Sequence, residues 1–299
     1  MQNGEVLILE NLRFHAEEET NDKNFSKELA ALADYYVNDA FSCSHRAHAS
    51  ITGVAEILPS FAGLQLETEI DSLTKALFSP ERPLGAIVGG SKISSKIDLL
   101  YSLTEKADYI FIGGGMANTF LYAKGFNVGT SLCEKDLKKK ALEILKHAEE
   151  KGSKIILPVD AAVADSLGQG KNSEILNIEK IPSGKMILDI GTQTVVQWNE
   201  IISKCRTIIW NGPVGAFEHP PFDNGSVALA RSVAYFTSNN NLNSVAGGGD
   251  TVALLVASGL RDSFSYISTA GGAFLEWLEG KNLPGIQALI DSAAKRCAA

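Results

Sequence analysis

The 299-residue sequence predicts an α/β protein made of two doubly wound parallel-sheet domains joined by a helix, the N-terminal domain being incomplete. Short apolar runs alternate with amphipathic stretches almost from end to end, the pattern of a parallel sheet covered by helices. Gly-rich turns follow several of those runs, at the strand ends where open α/β sheets bind ligands. Most of the runs fall after residue 80, so the later block can form a complete domain. The two strands before residue 60 cannot hold an α/β sheet alone, and a front segment is expected to be missing.

The candidate strands, in order, are residues 6–9, 35–38, 84–88, 109–112, 154–158, 186–189, 207–210, 244–247 and 266–268. Between the two blocks, residues 63–78 carry Leu66, Ile70, Leu73 and Leu77 at spacings of three and four, then break at Ser79-Pro80-Glu81-Arg82-Pro83. This predicts an interdomain helix. The bounds that follow are 1–62 for a partial first domain, 63–79 for the helix and 80–280 for a complete second domain, with 281–299 returning toward the first. Residues 134–152 predict another helix, with solvated Lys-rich and Glu-rich faces.

Composition narrows the class. Lys+Arg 27 against Asp+Glu 35 gives a net charge of -8, and no basic run exceeds Lys138-Lys139-Lys140, so no nucleic-acid partner is expected. The apolar runs are strand-sized and no charged-then-apolar leader opens the chain, so the sequence predicts a cytoplasmic protein with no membrane partner. Cys43, Cys133, Cys205 and Cys297 are widely spaced with no C-x-x-C pair, against a zinc site or a disulfide framework.

The strand-end turns carry the candidate chemistry. After residues 84–88 comes Gly89-Gly90-Ser91-Lys92-Ile93-Ser94-Ser95-Lys96, in which Lys92 and Lys96 stand four apart at a helix start and are expected to point the same way. Free N–H groups at that helix start, with two ammonium groups, would hold negative charge moving between phosphates; the alternative is two exposed surface lysines. Gly247-Gly248-Gly249-Asp250-Thr251 can wrap a phosphate in its amides while Asp250 reaches a magnesium ion and Thr251 donates a hydrogen bond, or it can be a glycine turn with Asp250 as N-cap. Gly113-Gly114-Gly115 can accept a flat ring against backbone or simply pack helix on strand. Trp210-Asn211-Gly212-Pro213-Val214-Gly215-Ala216-Phe217-Glu218 reads as an active-site loop with Glu218 as an acceptor, and Gly271-Gly272 opens a fourth such turn. In the front block Arg13 and Arg46 can clamp an anion or make structural salt bridges, while His45 and His48 read as polar loop residues. Neither a P-loop nor a dinucleotide fingerprint occurs, which disfavours a nicotinamide dehydrogenase.

Together these residues closely resemble the phosphoglycerate kinase family from Glu10 to about Gly285. E-N-L-R-F-H, S-H-R-A-H, S-P-E-R-P, G-G-x-K, G-G-G-M-A, W-N-G-P-V-G, G-G-G-D-T and L-E-G-K-x-L-P-G are all present. The resemblance implies two α/β domains joined by a hinge helix and phosphoryl transfer between 1,3-bisphosphoglycerate and MgADP, giving 3-phosphoglycerate and MgATP in glycolysis. It implies that Lys96 contacts the nucleotide phosphates and that Lys92 joins it in stabilising the group in flight. It puts Gly248, Gly249 and Thr251 on phosphates, Asp250 on magnesium, Asn211 near the transferred group and Glu218 on the ribose. Gly114, Gly115, Leu132 and Leu188 would line the adenine pocket, Gly271 and Gly272 would face the reaction centre, and Arg13 and Arg46 would grip the phosphoglycerate. Family members are usually monomeric.

Departures accompany the match. The family's R-x-D-x-N-V-P and H-x-G-R-P segments, which supply further substrate contacts and a transition-state arginine, do not occur, so the chain resembles a truncated enzyme with an intact nucleotide domain. Ser95 replaces a common Asp, and Ala270 stands where many members have a third Gly. Two expectations therefore stand side by side: a working kinase whose domains close about the hinge helix, and a nucleotide-binding module with little turnover.

Overall fold

The computed structural model describes residues 2–298. In chain order its strands are β1 (Tyr36–Asn38), β2 (Ser60–Ala62), β3 (Leu84–Val88), β4 (Tyr109–Ile112), β5 (Lys154–Ile156), β6 (Asp160–Ala164), β7 (Glu174–Asn177), β8 (Met186–Ile190), β9 (Thr207–Asn211), β10 (Asn243–Gly247) and β11 (Tyr266–Ser268). Two compact units result, Met1–Ile70 with Lys281–Ala299, and Asp71–Gly280. The division falls inside the helix Leu64–Leu77, whose first turn is capped by Asp39 Oδ1 accepting from the N–H groups of Gln65 at 2.7 Å and Leu66 at 3.0 Å. No described helix is long and apolar enough to cross a membrane.

In the larger unit six strands form one parallel sheet in the order β11-β10-β9-β3-β4-β5. Every residue of β3 and β9 is buried, as expected of central strands covered on both faces. Trp210, Trp198 and Phe111 are among the largest fully buried side chains there, and they anchor the core under the helices Thr192–Ile202 and Asn224–Asn239. The order reverses at β3, which has β4 on one side and β9 on the other, so the crevice of this sheet opens at the carboxyl ends of β3 and β9.

The strand predicted at 186–189 is present as β8, but it lies in a separate antiparallel sheet of order β7-β6-β8 rather than in the parallel one. Strands β6 and β7 escape the sequence reading because Asp-Ala-Ala-Val-Ala and Glu-Ile-Leu-Asn are too small or too polar to read as apolar runs.

In the smaller unit β1 and β2 pair in parallel, and the helix Pro284–Ala298 closes over them. Ser292 Oγ accepts from Ser60 N–H at 3.1 Å, Arg296 Nη1 donates to the Ser60 carbonyl at 2.6 Å, and its guanidinium lies 4.2 Å from the Phe61 ring centre. The strand predicted at 6–9 is absent: Val6 and Ile8 are each 87% exposed and the segment pairs with nothing. An apolar, β-prone run becomes a strand only where a neighbour completes its ladder.

A two-stranded sheet is marginal in water. Amide exchange should therefore be at least ~10²-fold faster in β1 and β2 than in β3 and β9, measured by hydrogen exchange with mass spectrometry. Equal protection of the two sheets would contradict this.

Candidate active site

The turn after β3 and the turn after β9 meet at the crevice. Lys96 Nζ donates to the Gly89 carbonyl at 2.7 Å, the Asn211 carbonyl at 3.1 Å and Asn211 Oδ1 at 2.6 Å. Asn211 is held in turn by its Nδ2 donating to the Gly247 carbonyl at 3.1 Å, at the end of β10. Burial pushes the Lys96 ammonium down to about 8, partly opposed by the charge of Asp250. The chain thus places a desolvated cation at the junction of three strand ends.

Backbone crowding fixes this geometry. Gly212 has φ +98, and a Cβ there would lie 2.3 Å from the Gly89 carbonyl oxygen and 2.9 Å from Lys96 Nζ. Its N–H donates to Thr251 Oγ1 at 2.7 Å, and Thr251 is fully buried, so this hydroxyl ties the β9 turn to the helix Gly249–Ala257. Gly248, φ +94, is the N-cap of that helix. Asp250 stands exposed in its first turn and is not the cap, which removes the structural alternative for its carboxylate.

Beside this cluster lies a mostly apolar cavity of about 470 Å³. Gly114, Gly115, Leu132, Leu188, Glu218 and Asp250 all line it, bringing together residues the sequence singled out separately. A Cβ on Gly115 would meet the Ser91 carbonyl at 2.6 Å and Leu132 Cδ2 at 3.2 Å, so glycine is what lets this wall close on Ser91. The size and lining suit one flat heterocycle with a polar tail, the Glu218 end being exposed.

The far wall includes Asp189, which the sequence reading missed. Its carboxyl accepts from Ile190 N–H at 2.9 Å and Gly225 N–H at 2.6 Å, and burial pushes it up to about 8 despite those bonds. It fixes the start of the helix Asn224–Asn239 and leaves no room for a side chain at Gly215, so the Pro213-to-Glu218 loop runs tight against it. No spacing rule points to such a residue, because its partners are 36 residues away or are backbone.

The structure corrects two expectations at the lysine turn. Residues 94–96 form a 3-10 turn and the α-helix begins only at Ile97, so Lys92 precedes the helix and its four-residue spacing to Lys96 does not make one helical face. Lys92 is exposed, whereas Lys96 turns inward. Nor are the first N–H groups of this turn free for an anion: that of Ser94 donates to Glu134 Oε2 at 3.0 Å. Ser95, in place of the common Asp, donates its hydroxyl to the Lys92 carbonyl at 3.0 Å.

Gly271 and Gly272 sit at the end of β11, where the helix Gly272–Leu278 begins; they do not line the cavity, and a Cβ on Gly271 would meet open space. In the smaller unit, Arg13 lines a hollow of about 260 Å³ that Arg46 does not reach. Neither guanidinium has a salt-bridge partner among the described residues, so the structural alternative for these arginines falls away. His48 is a polar loop residue, but a buried one, with Nδ1 3.6 Å from Glu18, whose carboxylate also accepts from Ser50 N–H at 2.9 Å and Ser50 Oγ at 2.5 Å.

Comparison with known proteins is consistent with this geometry. A family model described as phosphoglycerate kinase matches residues 1–281. The chain is 55% identical over 289 residues to a phosphoglycerate kinase of Methylorubrum extorquens (strain PA1), covering 97% of this chain and 72% of that protein. It is 54% identical to the phosphoglycerate kinase of Rhizobium meliloti (strain 1021), with the same coverage of 97% and 72%. Among solved structures, phosphoglycerate kinase from Coxiella burnetii superposes with a TM-score of 0.89 at 44% identity, covering 94% of this chain and 72% of that one. The enzyme from Pyrococcus horikoshii OT3 superposes with a TM-score of 0.80 at 36% identity, covering 98% and 74%.

Proposed function

Because the chain belongs to the phosphoglycerate kinase family, we propose that it moves a phosphoryl group reversibly between 1,3-bisphosphoglycerate and MgADP, giving 3-phosphoglycerate and MgATP. The observation that carries this reading is the Lys96 ammonium, held by three oxygens at the sheet's switch point beside the large cavity. Adenine would lie between Leu132 with Gly114-Gly115 and Leu188, and the ribose would meet Glu218. The phosphates would then run toward Gly248, Gly249 and Asp250, with Arg13 and Arg46 receiving the anionic phosphoglycerate.

A terminal oxygen of ADP attacks the acyl phosphate. The bond from phosphorus to the carboxyl oxygen breaks, and its electron pair remains on the carboxylate of 3-phosphoglycerate. Little covalent chemistry falls to the protein in such a transfer, so positioning and charge stabilisation dominate. Lys96 meets the charge that builds on the transferring oxygens, already oriented by Gly89 and Asn211, so no reorganisation is needed at that moment. Lys92 supplies a second, mobile cation from the same turn. Gly271 would take part through backbone at the end of β11.

Among the described residues no group of three or more His, Cys, Asp or Glu side chains is placed to hold a metal. A single exposed carboxylate, Asp250, instead suits a cation whose remaining ligands are phosphate oxygens and water. Magnesium bound there with the nucleotide would neutralise phosphate charge. Cavity, lysine and carboxylate come from one chain, so we take the monomer as the catalytic unit. On the strength of the family, we assign the reaction to glycolysis in the cytoplasm.

The test is the rate of ADP formation from MgATP and 3-phosphoglycerate by this 299-residue chain, in an NADH-coupled assay with Lys96→Ala as the blank. Turnover above the blank is expected; a rate equal to it would overturn the reading.

A further inference from the structure

The lysine turn is fastened from the side by a residue that none of the motifs contains. Glu134 Oε1 accepts from Ser94 Oγ at 2.6 Å and Oε2 from Ser94 N–H at 3.0 Å. Partial burial pushes this carboxyl up, but the bonds from Ser94 and Ile93, with the nearby Lys92 charge, outweigh it and hold the group below the ordinary carboxylate range. The anion therefore sits on the N–H and the hydroxyl of Ser94, two residues after Lys92 and two before Lys96.

Glu134 is itself anchored on the adenine side. Its N–H donates to Thr119 Oγ1 at 3.1 Å, and Thr119 is buried in the helix Gly114–Ala123, which opens with the two pocket glycines. Two residues earlier, the Leu132 carbonyl accepts from Asn118 Nδ2 at 3.1 Å on the same helix. A short strut thus runs from the helix under the base, through the Leu132 to Glu134 segment, to the turn that carries both lysines.

We propose that Glu134 is a positioning residue for phosphoryl transfer: it holds the Lys92-to-Lys96 turn in its working shape through Ser94, without touching substrate. This rests on the kinase reading of the site. A loosened Lys92-to-Lys96 turn leaves the cavity wall in place, since Asn118 holds Leu132 and the Met116 N–H holds the Gly90 carbonyl next to Ser91 at 3.0 Å, so ground-state nucleotide binding survives while the placement of Lys92 and Lys96 in the transition state suffers. Small misplacements of catalytic groups are costly, up to about 10²-fold for about 1 Å.

The experiment compares wild type, Glu134→Gln, Ser94→Ala and the double variant. The Gln amide keeps the size but removes the charge and leaves one acceptor where the carboxylate offers two, to the Ser94 N–H and hydroxyl. Glu134→Gln should lower kcat about tenfold while KM for MgADP changes less than about threefold. The double variant should lose less than the product of the single losses, because both remove one contact. Independently of turnover, amide exchange at Ile93 and Ser94 should speed up at least about tenfold, with β3 and β9 unaffected. A kcat within twofold of wild type, a loss confined to KM, or unchanged exchange in the turn would each overturn the proposal. A faster variant would do so too, since it would make Glu134 merely a competing counterion for Lys92. Failure of the kinase reading is read separately: wild type would then show no turnover, while the exchange result would still report on the strut.

Discussion

Replacing Lys96 by alanine lowers kcat by at least ~10²-fold, the typical cost of losing one preorganised electrostatic donor in a closed site. The pH behaviour of the same residue provides a second readout. In the fold its ammonium is pushed down to about 8 from 10.5, because three backbone and amide oxygens replace water only in part. Between those two values the unfolded chain binds a proton that the folded chain does not, so stability rises with pH through this window. Below about pH 8 the buried charge costs the fold its full share, on the order of 3 kcal/mol from the size of the shift.

Lys96→Met, which keeps the stem and removes the charge, should therefore flatten stability against pH between 8 and 10.5 when thermal unfolding is followed in both proteins. Nucleotide phosphates favour the ammonium form, so kcat/KM of the wild type should decline above about pH 8. A near-normal rate for the alanine variant, or the same pH slope in the methionine variant, would remove Lys96 from the role given to it.

Gly212→Ala should be the most damaging change of a single small residue. At φ +98 any L side chain is strained, and the new Cβ would lie 2.3 Å from the Gly89 carbonyl oxygen, which cannot move without shifting β3. Overpacking of this kind costs about 1–3 kcal/mol and the left-handed backbone about 1–2 kcal/mol more. The turn would also displace the Gly89 and Asn211 carbonyls from Lys96, so activity should fall at least ~10²-fold along with the melting temperature. Gly249→Ala is the matched control: a Cβ there meets nothing within 4 Å and φ is not positive, so stability should hold or rise by up to about 1 kcal/mol. Any activity lost in that variant would then report on close approach of a phosphate to the backbone. Equal destabilisation by both substitutions would refute the steric account.

The strand ends were legible because each is a local pattern. Runs such as Leu84-Gly85-Ala86-Ile87-Val88 and Ile208-Ile209-Trp210 are apolar throughout, as a central parallel strand covered on both faces tends to be. The glycine turns after them were legible for the same reason. What failed locally was whatever needed a distant partner. Residues 6–9 carry a strand's pattern and form none, while Asp160–Ala164 lacks the pattern and is a strand, held between β7 and β8. The spacing of Lys92 and Lys96 suggested a shared face, but that depended on where the helix begins, and a 3-10 turn moved the start to Ile97.

The sequence by itself determined the family and the inventory: all six strands of the parallel sheet, with residues 186–189 counted among them in error, their Gly-rich ends, and the residue types that suit a nucleotide and a phosphoryl group. Tertiary structure alone decided that β3 and β9 are neighbours, so that Lys96 meets Asn211 across 115 residues of chain. It also decided that Glu134 reaches Ser94 and that Asp189 supports the far wall of the cavity. The physical reason is one and the same. Local sequence sets whether a segment buries one face or two, whereas the order in which strands pair is set by the packing of the whole sheet, and the site exists only where that order reverses.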